Sequence, residues 1–172
     1  SINGEHSNKL SDLVSLVPLQ LFTPQSTDLI IGSPSERRRF CDWGLFHVEH
    51  SYYSLSMSYS KVLKQRNALL KSAQKTNNFD ASQIVYWSHQ LAIFGEKVSE
   101  HRLKYISELK LIFNRISLQF LPEFSLEISY NQGWDNSLSL VDALDKKLST
   151  DLKMGFTSVG VHKADLKILA NY

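Results

Sequence analysis

Three consecutive arginines, Arg37–Arg39, are the first side chains in the sequence whose chemistry suits an anionic ligand. The Ser-Pro-Ser-Glu sequence at residues 33–36 is a capping-box pattern with proline at the first helical position, which places the triplet in the first turn of a helix. Cations there oppose the helix macrodipole by about 0.3–1 kcal/mol each. Two interpretations remain open: an acidic or phosphate-bearing partner, and a solvated turn in which Arg38 pairs with Asp42.

More positive charge follows in residues 51–79, which contain no aspartate or glutamate. Residues 33–79 hold eight lysines and arginines against three acids, although the net charge of the whole chain is only +2. We predict contacts to the phosphate backbone of a nucleic acid, without base reading. The alternative is a solvated helix face whose lysines pair with acids on a second helix. The basic side chains of this stretch are Lys61, Lys64, Arg66, Lys71 and Lys75.

Other chemistry finds less support in the residue pattern. Gly155 and Gly160 have the spacing of a phosphate loop, but the required Lys-Ser/Thr pair is missing after the second glycine, so we reject that motif. His47 and His50 share a helix face without a third ligand nearby, which disfavours a metal site. Cys41 has no orienting acid for a nucleophile pair with histidine.

Composition limits the cellular setting. A single cysteine excludes an internal disulfide and fits a reducing cytoplasm. The sequence contains no run of about 18 apolar residues, so we expect no membrane span.

Two long helices are predicted to carry the basic residues. The first begins at Ser33, bends near Gly44 and continues to about Lys71. The second begins at an Asp80–Gln83 capping box and stops at Pro122. Heptad spacing in both helices predicts an antiparallel helical hairpin. The apolar positions of the second helix are Ile84, Trp87, Leu91, Phe94, Val98, Tyr105, Leu109, Ile112 and Ile116.

Shorter elements flank the hairpin, which makes the predicted fold class α+β. We expect a helix at residues 11–16, a buried strand at residues 19–22 and a strand in FSLEISY. A third helix capped by Asp135 or Asn136 follows, and FTSVGV and LKILA are the last two strands.

Four stretches of the sequence resemble, in order, the RecF family of recombination mediators, which are ATPases of the SMC/ABC type. They are FTPQSTDLIIGSPSERRRFCDWGLFHVE, LKQRNALLK, QFLPEFSL with GW shortly after it, and GVHKADLKI. The resemblance implies a three-part chain: residues 1–32 as a remnant of the ATPase lobe, residues 33–122 as a helical arm, and residues 123–172 as a segment returning to the ATPase lobe.

The resemblance also implies a function that this stretch of chain does not perform alone. Family members bind double-stranded DNA near gaps as ATP-dependent homodimers with magnesium, act with RecO and RecR to load the recombinase in DNA repair and the SOS response, and are released by ATP hydrolysis. The phosphate loop, signature and Walker B motifs are absent here, so we expect no catalysis and no bound cofactor. An alternative is a hairpin that binds a protein or a second copy through its aromatic residues, Tyr52, Tyr53, Tyr59 and Trp87, without touching DNA.

The expected DNA contacts are Arg37, Arg38, Arg39, Lys61, Lys64, Arg66 and Lys71. Gln25 lies near the junction at which a glutamine of related ABC proteins contacts magnesium and the attacking water. The RecF pattern has glutamate at this position, which weakens the assignment. Val161 likewise replaces the proline of the family's G-P-H sequence, and a structural turn is the default interpretation there.

Overall fold

The computed structural model describes residues 23–76, 78 and 80–171. The chain forms five α-helices and two β-strands in this part, with short 3-10 helices at Pro24–Thr27 and Val161–Lys163. The helices are α1 (Asp28–Ile31), α2 (Pro34–Val48), α3 (Tyr52–Thr76), α4 (Ala81–Phe120) and α5 (Leu140–Met154), and the strands are β1 (Ser125–Asn131) and β2 (Asp165–Asn171). The predicted α+β class is confirmed.

The helical hairpin of α3 and α4 is the central element. Its antiparallel direction follows from the contacts, because Tyr52 at the start of α3 meets Arg102 near the middle of α4, whereas Arg66, farther along α3, meets Ser88 near the start of α4. Apolar residues at helical spacing fill the space between the two helices and the elements that cover them. Of the seam predicted in α4, Ile84, Leu91 and Val98 are buried and the other members as far as Leu109 are partly buried, but Ile112 and Ile116 are about half exposed.

The first long helix is interrupted, contrary to the prediction of one helix bent near Gly44. α2 ends at Val48, and α3 starts at Tyr52 after a turn through Glu49, whose carboxylate accepts hydrogen bonds from the backbone N–H and the hydroxyl of Ser51. Gly44 lies inside α2, directly against the Tyr105 ring. The glycine therefore serves close helix packing rather than a bend.

Helix caps decide where the other helices begin. Asp80 caps α4 by accepting hydrogen bonds from Ser82 N and Gln83 N, as predicted. Ser33 precedes α2 and Pro34 takes its first position, but the Ser33 side chain caps no backbone N–H. α5 is capped by Ser139, so the expected caps Asp135 and Asn136 were wrong.

The carboxyl-terminal segment packs back onto the hairpin. β1 pairs with β2 in antiparallel register, with Ile128 opposite Ile168. The FTSVGV sequence is a loop leading into a 3-10 turn rather than a strand, because its backbone groups bond to side chains of the hairpin and α5 instead of a neighbouring strand. Gly160 has a φ of 129°, a conformation that favours glycine.

Some predictions fall outside the described residues or stay predictions. The helix at residues 11–16 and the strand at residues 19–22 lie outside the described residues. The three-part division of the chain remains a prediction. None of the helices in the described part has both the length and the apolar character needed to cross a bilayer.

Candidate functional site

Arg37 joins three segments that are distant in sequence. Its guanidinium pairs with the Asp165 carboxylate through Nε at 2.8 Å and Nη2 at 3.2 Å, which is a bidentate arrangement. Nη1 donates to the carbonyl of Gly32 at 2.8 Å. The hydrogen bond with Asp165 raises the pKa of Arg37 above its usual value. The side chain is therefore a structural clamp between the start of α2 and the start of β2.

The other two arginines of the triplet behave differently from Arg37. Arg38 donates to the carbonyl of Ala164 at 2.7 Å rather than pairing with Asp42, and burial together with the nearby Arg102 charge lowers its pKa. The Arg39 side chain is 76% exposed and lies 3.3 Å from Glu36. Only Arg39 projects freely into solvent.

Arg102 is a buried side chain whose role the sequence pattern did not predict. It is 5% exposed and forms a bidentate pair with Asp42 at 2.8 and 2.9 Å. Its Nη1 also donates to the carbonyl of Val161 at 2.8 Å. The heptad pattern of α4 could have predicted its burial, because Arg102 fills the seam position between Val98 and Tyr105 where an apolar residue was expected.

Arg66 lies in the interior, contrary to the prediction that it contacts DNA. The Arg66 and Asp151 side chains are 0% exposed and pair at 2.9 Å. The guanidinium also donates to the hydroxyls of Ser88 at 3.0 Å and Thr157 at 2.7 Å. Burial of an arginine requires such a carboxylate partner, so Arg66 holds α3, α4, α5 and the following loop together.

His162 completes the attachment of this loop. Its Nε2 lies 3.0 Å from the carbonyl of Thr157, which can only accept, so Nε2 carries the proton and Nδ1 accepts from the Tyr59 hydroxyl at 2.7 Å. Burial lowers the pKa of His162 to about 4. The imidazole is therefore neutral at physiological pH.

These contacts attach residues of two of the recognised motifs to the segment at residues 155–165, which holds part of a third. Arg66 and its neighbour Asn67, from LKQRN, bind Thr157, while Arg37 and Arg38 bind the Ala164–Asp165 end of GVHKAD. We call residues 155–165 the pinned loop, because arginines from three helices fix it against the hairpin.

The lysines of α3 form a separate, solvent-facing surface, which we call the lysine face. It consists of Lys61, Lys64, Lys71 and Lys75, all exposed and within a narrow arc of the helix opposite its buried side. No ion pair within residues 23–76, 78 and 80–171 involves any of them. The pairing with acids on the second helix that we considered is therefore not present in the described part.

The structure also describes the surroundings of the other residues that were considered for cofactor, nucleophile, metal or protein binding. The backbone of Gln25 belongs to the 3-10 helix at Pro24–Thr27. Burial raises the pKa of the Cys41 thiol to about 12, which makes it a poor nucleophile. No cluster of three metal-ligating side chains occurs among the residues whose placement is described. Of the aromatic residues considered for a protein interface, Tyr52 and Tyr59 are buried in the core.

Comparison with known proteins gives consistent relatives. No protein-family model matches the chain. It is 47% identical over 167 residues to the DNA replication and repair protein RecF of Pseudoalteromonas atlantica, covering 97% of this chain and 46% of that protein. It is 45% identical over 170 residues to the RecF of Idiomarina loihiensis, covering 99% of this chain and 47% of that protein.

Solved structures agree with the sequence relatives. A structure of the recombination mediator protein RecF-ATP in the RecFOR pathway superimposes with a TM-score of 0.79 at 28% identity, over 87% of this chain and 42% of that one. The corresponding RecF-ATPrS structure gives a TM-score of 0.80 at 27% identity over the same shares. The chain spans just under half the length of the curated relatives it matches, and over that length its sequence and its fold are similar to those of RecF proteins.

Proposed function

We propose that this chain is the arm-bearing part of a RecF-type, ATP-dependent DNA-binding protein of replication and recombinational repair. The complete protein would bind double-stranded DNA near gaps as an ATP-dependent homodimer with magnesium. It would act in the cytoplasm with RecO- and RecR-like partners to help load recombinase. The arm itself would bind DNA without catalysing a reaction. Support for the repair assignment comes from the RecF relatives at 45–47% identity.

The observation that carries the DNA-binding proposal is the lysine face. Lys61 and Lys75 are 14 residues apart, so the charged surface runs about 21 Å along α3 at 1.5 Å per residue. Because the lysines are exposed and without acidic partners in the described part, their charge is free to meet phosphates. Such contacts release counterions and bind DNA without regard to sequence.

The structure narrows the set of residues proposed to contact DNA. Arg37 forms an ion pair with Asp165, and Arg38 donates a hydrogen bond to the Ala164 carbonyl. Arg66 is fully buried. Arg39 is exposed, and its one ion pair in the described part of the chain is with Glu36 in the first turn of α2. We therefore assign phosphate contact to the lysine face and to Arg39, and assign Arg37, Arg38 and Arg66 to holding the pinned loop.

Charge reversal of the lysine face tests this assignment. The triple variant Lys61→Glu, Lys64→Glu and Lys71→Glu should bind duplex DNA more weakly, in the complete RecF protein that contains this chain. If all three lysines contact phosphates, the slope of log K against log salt should fall by about 2.7, at about 0.9 for each contact. Fluorescence anisotropy of a labelled duplex across a salt series gives both quantities.

A matched variant separates local contact from net charge. Lys97→Glu, Lys104→Glu and Lys147→Glu change the net charge equally at exposed positions on α4 and α5. This control should keep nearly the wild-type salt slope. Equal loss of slope in both triple variants, or no loss in either, would contradict DNA contact by the lysine face.

A further inference from the structure

We propose that a groove between α4 and the loop at residues 132–138 binds an arginine side chain of a partner protein. The groove has a volume of about 320 Å³. Its walls include Glu96, Ser99, Glu100 and Leu103 from α4, and Gln132 and Trp134 from the loop. We call this the Glu–Trp groove.

The charge of the groove selects a cation. Glu96 and Glu100 are one helical turn apart, an arrangement that costs a few tenths of a kcal/mol through like-charge repulsion. No lysine or arginine lines the groove, and neither carboxylate takes part in an ion pair within the described residues. Glu96 Oε1 accepts from the backbone N–H of Leu140 at 2.9 Å, at the start of α5, which explains Glu96 structurally. Glu100 makes no comparable contact with any residue that the structure describes.

The apolar walls of the groove suit the methylene chain and the planar guanidinium of an arginine side chain. Leu103 is 45% exposed at one wall. The Trp134 indole is fixed in place because its Nε1 donates to the carbonyl of Leu138 at 3.1 Å. A guanidinium stacked on that ring could reach the Glu100 carboxylate bidentately while its methylene stem covers Leu103.

The same charge argues against a nucleic acid as the occupant. Two carboxylates without a compensating cation repel phosphates. The lysine face belongs to α3, whereas the Glu–Trp groove is built from α4 and the loop after β1. The arm would thus present DNA and a protein partner with two different surfaces, and failure of one proposal leaves the other intact.

Titration with short blocked peptides tests the groove. The probe is acetyl-Ala-Arg-Ala-amide, and the matched peptide carries glutamine in place of arginine. The arginine peptide should shift the Trp134 indole N–H resonance of the 172-residue chain, identified by its loss in Trp134→Phe. The Glu100→Gln variant should weaken that binding roughly tenfold, because it removes a charge-assisted hydrogen bond.

The control variant is Glu108→Gln, an exposed glutamate on α4 outside the groove. It should leave the affinity for the arginine peptide unchanged. Equal responses to the arginine and glutamine peptides, or equal weakening by Glu100→Gln and Glu108→Gln, would overturn the proposal.

Discussion

Replacing Arg66 with methionine should destabilise the chain severely, although it leaves the exposed lysine face unaltered. The pair with Asp151 is 0% exposed on both sides, so Arg66→Met leaves a buried carboxylate without its cation. Removing one partner of such a pair typically lowers the free energy of unfolding by about 3–5 kcal/mol. With an m-value of roughly 2 kcal/mol per molar urea, the urea midpoint should fall by about 2 M.

A second substitution shows whether the isolated carboxylate causes the loss. Asp151→Asn removes the charge but keeps an oxygen for the backbone N–H of Ser158, which donates to Asp151 Oδ1 at 3.0 Å. The double variant Arg66→Met with Asp151→Asn should therefore recover a substantial part of the stability, since the residual cost is lost hydrogen bonds rather than an uncompensated charge.

Urea denaturation followed by circular dichroism is the assay, with Lys64→Met as the matched change on the exposed side of the same helix. Lys64→Met should stay within about 0.5 kcal/mol of wild type. A loss below about 1 kcal/mol for Arg66→Met would refute the reasoning. So would a double variant as unstable as the sum of its single changes, because the charge argument requires the two effects to be coupled.

Two further predictions concern the packing of the hairpin. Burial holds the pKa of His162 at about 4, whereas an unfolded histidine has a pKa of about 6.5. The neutral imidazole therefore contributes its full stabilisation above pH 6.5, and this contribution is lost as the pH falls toward 4. The loss is at most about 1.4 kcal/mol per pH unit. Urea midpoints at pH 7 and pH 4.5 should therefore differ less in His162→Gln than in wild type; an identical difference would count against the neutral imidazole. Gly44→Ala should lower the free energy of unfolding by about 1–2 kcal/mol, because the added methyl group overlaps the Tyr105 ring. In a Tyr105→Leu background the same change should become neutral or stabilising, as alanine favours a helix by about 1 kcal/mol, and persistent destabilisation there would exclude the ring as the cause.

The contacts of the pinned loop explain why the recognised motifs lie so far apart in sequence. Arg37 and Asp165 are separated by 128 residues, and Arg66 and Asp151 by 85. Arg37 and Asp165 each lie in a recognised motif, whereas Arg66 of LKQRN pairs with Asp151, which lies outside those motifs. The RecF resemblance therefore follows a set of side chains that hold α2, α3 and the pinned loop together.

The sequence by itself determined the local elements. The hairpin, the Asp80 cap, the end of α4 before Pro122 and the FSLEISY strand all follow from periodicity, capping and proline chemistry, which act over a few residues. The exposed lysines of α3 were also predictable, because a helix with one apolar side places the charges opposite to it.

Only the tertiary structure decided which charges are free and which are paired. Arg66 and Lys64 are two residues apart in one basic stretch, yet one is fully buried and the other exposed. Their exposure differs because the helix directs the Arg66 side chain toward Asp151. The spacing of residues in the sequence could not predict that pairing. Arg102 was missed for the same reason, since a charge on a heptad seam is tolerated only when a distant partner such as Asp42 neutralises it.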